Sequence, residues 1–297
     1  MTRKDCKLLP HIRENLYGFN ATSMQMIPWA IKVFDVERTW KKSTGKNIIV
    51  AVIDTGCDKD HPDIQNNLLQ GYNCIDNNTN SDDDNGHGTH VAGTIGAINN
   101  NFGIVGTAPE VKILPIKALN KNGEGNNAWV ANGVRWAVDN GANLITMSLG
   151  SPYPSKQLEE SINYALNNKV VVFCAAGNSG NDTDVQYPAK YSQTISIGAI
   201  NRNLQVCNFS CVGDTLDFLA PGEDIISCVP NGSYANMSGT SMATPFAVGC
   251  AALLLSEDNQ LNTKDKIIAK FKNHTLKLTG DHSGNRKYEG YGIIRPI

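Results

Sequence analysis

The feature that most constrains the fold of this chain is a set of five apolar segments, each as long as a β-strand. Every segment is apolar throughout instead of alternating, as strands buried on both faces of a sheet are. The segments are residues 48–53, 111–116, 144–147, 170–175 and 194–200. Helical periodicity over residues 128–140 and 155–168 lies between them. Strands that alternate with helices predict an α/β fold with a mostly parallel central sheet and right-handed crossovers.

Length and charge limit the class of protein. The 297 residues contain no linker rich in Gly, Ser or Pro, which predicts one large domain with short terminal extensions. A net charge of −2 without basic runs argues against nucleic acid as a partner. No apolar stretch approaches the roughly 18 residues of a membrane span, and the N-terminus lacks the apolar core of a secretory signal. We therefore expect neither nucleic acid nor a membrane among its partners.

The cysteines indicate the cellular compartment. There are eight, at Cys6, Cys57, Cys74, Cys174, Cys207, Cys211, Cys228 and Cys250. Without a secretory signal or the spacing of a disulfide framework, reduced thiols in the cytoplasm are the favoured interpretation. A zinc site built on Cys207 and Cys211, four residues apart, is the weaker alternative.

Three short segments contain the candidate catalytic residues. Asp54 follows an apolar strand, His87 begins a helix of small residues, and Ser241 lies at the mouth of an apolar helix that runs to Leu255. Open α/β sheets place ligands at the carboxyl ends of strands and at helix N-termini. Each residue also has an ordinary structural interpretation: a turn former, a packed core histidine and a helix cap.

The three segments together resemble the signatures of the subtilase family of serine proteases. The strings are Val52-Ile-Asp54-Thr-Gly56, His87-Gly-Thr-His90-Val-Ala-Gly93 and Gly239-Thr-Ser241-Met-Ala243, in the order Asp, His, Ser. The resemblance extends over about residues 25–255 and is strongest to the intracellular subtilisins. It implies a three-layer subtilisin-like α/β fold with helices on both faces of the sheet, and a serine endopeptidase.

The resemblance assigns a role to each residue of the site. His87 would accept the proton of Ser241 and return it to the leaving amine, while Asp54 orients the imidazole. Asn178, in the string Cys174-Ala-Ala-Gly-Asn178 after an apolar strand, matches the asparagine of the family's oxyanion hole. The backbone N–H of Ser241 would be the second donor.

The resemblance also implies a cleft that binds an extended peptide as an additional strand. One wall would be formed by Gly123, Glu124 and Gly125 and the other by Ser148, Leu149 and Gly150. Ala176 and Gly177 would border the first specificity pocket. The alternative is that the glycines among these residues only form ordinary turns. The substrates would be proteins and peptides, with a preference for large apolar side chains.

Calcium is the implied cofactor. Carboxylate, amide and carbonyl oxygens from separate segments are the ligands that Ca²⁺ prefers. The residues that match the family's calcium site are Gln25, Asp63, Ile98, Asn100, Phe102 and Ile104, and a second cation site would involve Ala189, Tyr191 and Thr194. The acidic run at residues 82–84 is interpreted as a solvated loop in preference to a cation site.

The N-terminal segment resembles the leader of the intracellular subtilisins. We expect residues 1–20 to form a short inhibitory leader, with Leu8, Leu9 and Pro10 across the cleft, and residues 21–297 to form the catalytic domain. A frayed terminus is the alternative. The protein would then be a zymogen, and its intracellular relatives are often homodimers. Phe246 replaces a histidine that is usual in the family, and we expect it to pack on the helix away from the chemistry.

Other functions have weaker support. A non-catalytic binding protein on the same fold would not need all three polar residues. A lipase or esterase would carry Gly-x-Ser-x-Gly after a strand, whereas Ser241 precedes a helix with no strand leading in. A zinc hydrolase built on His87 and His90 lacks the usual spacing and the glutamate between the histidines.

Overall fold

A seven-stranded parallel sheet forms the centre of the protein. The computed structural model of the chain describes residues 5–17 and 25–297. Its strands are β1 (Cys6–Leu8), β2 (Ile12–Tyr17), β3 (Ile49–Asp54), β4 (Tyr72–Asn73), β5 (Lys112–Lys117), β6 (Glu124–Gly125), β7 (Leu144–Met147), β8 (Leu149–Gly150), β9 (Val171–Ala175), β10 (Ile195–Ile200), β11 (Phe218–Pro221), β12 (Ile225–Val229) and β13 (Ser233–Ser238). The order in the central sheet is β11-β10-β9-β7-β3-β5-β4, and all neighbours are parallel.

Two groups of helices pack against this sheet. The helices are α1 (Trp29–Val33), α2 (Val36–Thr39), α3 (His87–Gly96), α4 (Asn127–Asp139), α5 (Lys156–Asn167), α6 (Thr240–Glu257), α7 (Lys264–Lys272) and α8 (Arg286–Glu289). Helices α3 and α6 contact each other and the sheet, as do α4 and α5. In the described part of the chain, none of these helices is both long and apolar enough to cross a bilayer.

The predicted fold class is confirmed, and the five predicted strands correspond to β3, β5, β7, β9 and β10. The predicted helices correspond to α4 and α5, which begin after capping side chains: Asn126 accepts from the Trp129 N–H and Ser155 from the Leu158 N–H. Strands β11, β12 and β13 were not predicted. In β13 only part of the strand is buried, so its sequence lacks the continuous apolar run that identifies the others.

Helix α6, beside the site, is buried along nearly all of its length. All of its residues from Thr240 to Leu255 are buried, and it packs on β7, β9, β10 and β11. Phe246 lies within it, 1% exposed, with its ring centroid 5.4 Å from that of Phe34. It therefore packs away from the polar site, as the sequence predicts.

The two N-terminal strands lie outside the central sheet. Strand β1 is the middle strand of a small antiparallel sheet between β6 and β8. Strand β2 is the outer strand of a second antiparallel sheet, in the order β12-β13-β2. The large core is thus assembled mainly from later parts of the chain, and the N-terminal segment packs on it through the buried residue Cys6.

Candidate active site

The site begins with a buried hydrogen-bonded pair of side chains between the end of a strand and the start of a helix. Asp54 is the last residue of β3 and His87 is the first residue of α3. His87 Nδ1 lies 2.8 Å from Asp54 Oδ1, and both side chains are almost completely buried. In the described part of the chain, His87 Nε2 has no hydrogen-bond partner. That nitrogen is consequently the one available for proton transfer.

Asp83 connects the segments that carry Asp54 and His87. Its burial shows that the sequence-based interpretation of this acidic run was wrong. The run at residues 82–84 is not a uniformly solvated loop, because Asp83 is only 8% exposed. Its Oδ1 accepts hydrogen bonds from Thr55 Oγ1 at 2.8 Å and from two backbone N–H groups before α3. Its Oδ2 accepts from the backbone and hydroxyl of Thr89 at 2.9 and 2.6 Å. Asp83 thereby joins the residue after Asp54 to the first turn of the His87 helix.

A glycine allows the strand end and the helix to come this close. The Gly88 N–H donates to Thr55 Oγ1 at 2.9 Å. A Cβ atom on Gly88 would collide with the Gly56 carbonyl oxygen, so a side chain there would push α3 away from the turn after β3. The small residues around His87 therefore set the distance between Asp54 and His87.

Ser241 is held by hydrogen bonds to Ser148, the residue that follows β7. These bonds form where Pro245 interrupts the hydrogen-bond pattern of α6. It is the second residue of α6, and Pro245 lies one turn later. Because proline has no N–H, the Ser241 carbonyl lacks its helical donor, and Ser148 Oγ supplies one at 3.1 Å. In return Ser241 Oγ donates to the Ser148 carbonyl at 3.3 Å. The hydroxyl proton is thus directed at Ser148 in this arrangement, and not at His87.

Asn178 presents a donor to the centre of the site. Its Oδ1 accepts from the backbone N–H of Thr240 at 2.8 Å and from Thr240 Oγ1 at 2.7 Å. These two donors fix the orientation of the amide, so Nδ2 must face the other way. It donates to the carbonyl oxygen of Pro10 at 2.6 Å. Thr240 was not singled out in the sequence, because only the fold brings it next to Asn178.

The N-terminal segment lies in the predicted cleft. Strand β1 pairs with β6 through Cys6 opposite Gly125, and with β8 through Leu8 opposite Leu149. The Leu8 N–H donates to the Gly123 carbonyl at 2.8 Å. Leu9 is 2% exposed and packs on Gly150, where a Cβ atom would come within 2.5 Å of its side chain. The structure therefore brings the residues of both predicted walls together around the predicted leader motif.

Comparison with known proteins identifies the family. The family model described as the subtilase family matches residues 45–292. The chain belongs to the subtilase family. The match spans all three candidate residues and most of the described structure.

Three curated relatives are each similar over most of their length. The chain is 40% identical to the intracellular serine protease of Paenibacillus polymyxa over 276 residues, which are 90% of this chain and 85% of that protein. It is 39% identical to the major intracellular serine protease of Bacillus subtilis strain 168, covering 92% and 89%. It is 40% identical to the subtilisin of Bacillus pumilus, covering 91% and 97%. The predicted family and enzyme class, a serine protease of the subtilisin type, are confirmed.

This subtilase has a second histidine in the cleft that the sequence analysis did not single out. The His11 ring centroid lies 4.9 Å from that of His87. Burial is the main cause that lowers the pKa of His11, and the neighbouring His87 lowers it further. His90, the other histidine of the signature, is completely buried and its Nε2 faces the carbonyls of Ile225 and Ala235. Burial lowers the pKa of His90 to about 3, which suits a structural residue.

Three of the other five predicted calcium residues surround the Gln25 amide. Gln25 Nε2 lies 2.9 Å from the carbonyl oxygens of Ile98 and Ile104 and 3.4 Å from Asn100 Oδ1. An NH₂ group has two protons, so three oxygens exceed what it can satisfy. Turning the amide over would replace the nitrogen with an oxygen and create the all-oxygen environment that Ca²⁺ prefers.

The remaining two predicted calcium residues border the same place. Asp63 accepts from Asn100 Nδ2 at 2.9 Å through Oδ1, and from the Ile104 N–H at 2.8 Å through Oδ2. Phe102 lies in the same loop, and its N–H donates to Asn100 Oδ1 at 3.2 Å. The described residues contain no cluster of three or more His, Cys, Asp or Glu side chains that could hold a metal. One carboxylate with amide and carbonyl oxygens nevertheless fits calcium.

The residues predicted for a second cation site also lie together. Thr194 Oγ1 is 3.1 Å from the carbonyl oxygen of Ala189 and 3.0 Å from that of Tyr191. The Pro188 carbonyl is 3.1 Å away as well. The Thr194 hydroxyl itself is therefore at the centre of these oxygens, and the second site stays a prediction.

Proposed function

We propose that this subtilase is a calcium-dependent serine endopeptidase that is made as a self-inhibited intracellular zymogen. The observation that carries the proposal is the 2.6 Å hydrogen bond from Asn178 Nδ2 to the Pro10 carbonyl. A donor aimed at a peptide carbonyl, next to the buried pair of Asp54 and His87, is the arrangement that acyl transfer requires.

In the proposed reaction Ser241 Oγ attacks the carbonyl carbon of the substrate while His87 Nε2 takes its proton. Asp54, 2.8 Å from Nδ1, fixes the imidazole tautomer and stabilises the imidazolium. Asn178 and the Ser241 N–H stabilise the oxyanion of the tetrahedral intermediate. His87 then gives the proton to the leaving amine as the C–N bond breaks. Water repeats the sequence on the acyl-enzyme and releases the carboxylic acid.

The proposed inhibition works by occupation of the cleft. Support comes from β1, which pairs with both walls, and from Leu9, which is 2% exposed. The Ser241 hydroxyl donates to the Ser148 carbonyl, so it is not poised for attack on Pro10. The proline ring also restricts how the Pro10 carbonyl can approach the nucleophile. We therefore propose residues 1–20 as the leader and residues 21–297 as the catalytic domain.

The proposed calcium ion would be held by the side-chain oxygens of Gln25, Asp63 and Asn100 and by the carbonyls of Ile98, Phe102 and Ile104. Bound there, it would supply electrostatic cross-linking between the segment at Gln25 and the loop after α3, which stabilises the fold. Ala189, Tyr191 and Thr194 remain the proposed second cation site.

The proposed partners are proteins and peptides, and neither nucleic acid nor a membrane. The names of two relatives include the word intracellular, which supports a cytoplasmic location for this chain. We also propose a homodimer on the basis of the family resemblance; light scattering of the full-length protein tests it.

The proposed function is tested by hydrolysis of a peptide anilide. The full-length protein and a form that lacks residues 1–18 are compared, each with calcium and with a chelator. We expect the shortened form to be much faster with calcium and to lose activity with the chelator as it unfolds. Ser241→Ala is the control for contaminating protease.

Other outcomes would overturn separate parts of the proposal. Equal rates for both forms would make the leader an ordinary terminus. Full activity and unchanged thermal stability in chelator would remove the calcium site. If neither form cleaves the substrate, and a fluorophosphonate does not label Ser241, the chain is a binding protein on a protease fold.

A further inference from the structure

The second leader strand covers one edge of β13 from Tyr234 to Ser238. The two strands are antiparallel, with Ile12 opposite Ser238 and Tyr17 opposite Tyr234. The register shifts between Ala235 and Asn236. Because β12 occupies the other side of β13, β2 covers its free edge. When the leader is displaced, that edge presents unpaired N–H and C=O groups.

This edge is continuous with the catalytic cleft. Strand β13 ends at Ser238, three residues before Ser241. In the leader, the carbonyl held by Asn178 belongs to Pro10, so the residues from His11 onward lie on the side of the leaving amine. Counted from that carbonyl, residues 14–17 are the fourth to seventh residues downstream, and they lie opposite residues 234–236.

We propose that the edge of β13 over residues 234–236, here called the downstream strand site, binds the fourth to seventh residues beyond the cleaved bond of an extended polypeptide. The inference rests on the proposed endopeptidase function and names its substrate class. The preferred substrates are extended chains that continue well past the cleaved bond. The occupant is identified by β2, which occupies the same edge in a direction continuous with the cleft.

The recognition uses main-chain atoms and tolerates many sequences. Tyr234 and Ala235 are 1% and 0% exposed, so their side chains belong to the core and leave the backbone for a partner. The Tyr234 hydroxyl donates to Asp63 Oδ2 at 2.7 Å, and its ring packs edge-on against His61. The strand is therefore held rigidly before a substrate arrives. Addition of a strand to such an edge gives affinity through backbone hydrogen bonds.

The test uses the full-length chain with a leader that can no longer occupy its sites. Leu9→Asp places a charge where Leu9 is buried, which disfavours the leader in the cleft. Leu16→Pro removes the N–H of the residue opposite Ala235 and disrupts β2. The double variant is called the released-leader chain, and every residue of the catalytic domain in it is unchanged.

Two fluorescence-quenched peptides with identical residues around the cleaved bond are compared. One ends three residues downstream of the bond and the other ends seven residues downstream. We expect kcat/KM of the released-leader chain to be roughly tenfold higher for the long peptide, mainly through KM, because two or three added backbone hydrogen bonds each contribute modestly.

N-methylation of the long peptide distinguishes strand pairing from a general effect of length. Alternate residues of a strand direct their N–H groups to the same neighbour. Because of the register shift, the fourth and seventh downstream residues lie opposite Asn236 and Tyr234, which are two apart on β13, and the sixth lies opposite Ala235. Methylation of the fourth and seventh downstream amides, or of the sixth alone, should therefore abolish the advantage in one case and spare it in the other. Equal effects of the two methylated peptides would overturn the proposal.

The single variant Leu9→Asp is the matched control. Its β2 keeps Leu16 and can still pair with β13, so the downstream strand site stays occupied by the leader. In this single variant we expect the long peptide to lose most of its advantage. Cleavage of both peptides at equal rates by the released-leader chain would overturn the downstream strand site and leave the endopeptidase standing. Cleavage of neither peptide would overturn both.

Discussion

At the scale of single residues, we expect the contact between His11 and His87 to make docking of the proposed leader depend on pH. The rings lie 4.9 Å apart, and the charged groups that also influence His11 are Asp54 and Arg13. Burial first, and then His87, lowers the pKa of His11 below its ordinary value of 6.5 when the leader is in the cleft. The released leader has the ordinary value. Below about pH 6.5 the released form therefore binds a proton that the bound form does not.

We predict that inhibition by the leader weakens as the pH falls from 7.5 to 5.5. A single proton can shift this equilibrium by at most about tenfold per pH unit. The measurement is the hydrolysis rate of the full-length protein divided by that of His11→Phe at each pH, which cancels the titration of the catalytic groups. We expect the ratio to rise severalfold toward acid. A constant ratio would contradict the prediction.

At the scale of elements, the position of α3 depends on one carboxylate. Asp83 accepts five hydrogen bonds, which come from the turn after β3 and from the start of α3. Negative charge also interacts favourably with a helix N-terminus. Since Asp54 ends β3 and His87 begins α3, we expect Asp83 to position the two residues.

Asp83→Asn should lower kcat more than it changes KM. The new NH₂ group would face at least one N–H or O–H that now donates to the carboxylate, which costs about 1–3 kcal/mol of stability. We expect a loss in kcat of roughly tenfold or more because the alignment of His87 loosens. Asp82→Asn, the same change at an exposed neighbour, is the control. Equal kinetics for the two variants would show that Asp83 has no positioning role.

At the scale of the whole molecule, all eight cysteines are free and buried. Burial is the main cause that raises the pKa of each thiol, for example to about 12 in Cys6 and Cys74. The pKa values of the other six thiols are raised as well. Thiolates are the reactive form, so the folded protein should be inert to thiol reagents near neutral pH. Cys6 differs because it is buried through β1 of the leader.

We predict that the Ser241→Ala protein shows almost no fast reaction with a thiol-disulfide reagent and eight reactive thiols after denaturation. Adding Leu9→Asp should expose one thiol in the folded state. Adding Cys6→Ser as well should remove that reaction. If the fast reaction caused by Leu9→Asp is still present when Cys6→Ser is added, a different cysteine has become exposed. The proposed docking of the leader is then wrong.

The sequence by itself determined five of the seven strands of the central sheet, the helices α3, α4, α5 and α6 and the three signature residues. Continuous apolar runs identify β3, β5, β7, β9 and β10 because burial on both faces is imposed locally, residue by residue. The caps at Asn126 and Ser155 are local as well. The family strings locate Asp54, His87 and Ser241, since each string consists of adjacent residues.

Only the tertiary structure decided the surroundings of these residues. Asn178 is oriented by Thr240, 62 positions away, and it reaches Pro10 at a separation of 168. The pairing of β2 with β13 and the burial of Asp83 likewise leave no local pattern. The direction of a donor, the burial of a carboxylate and the partner of an edge strand depend on contacts between distant segments. Periodicity and short motifs record only what neighbouring residues impose on each other.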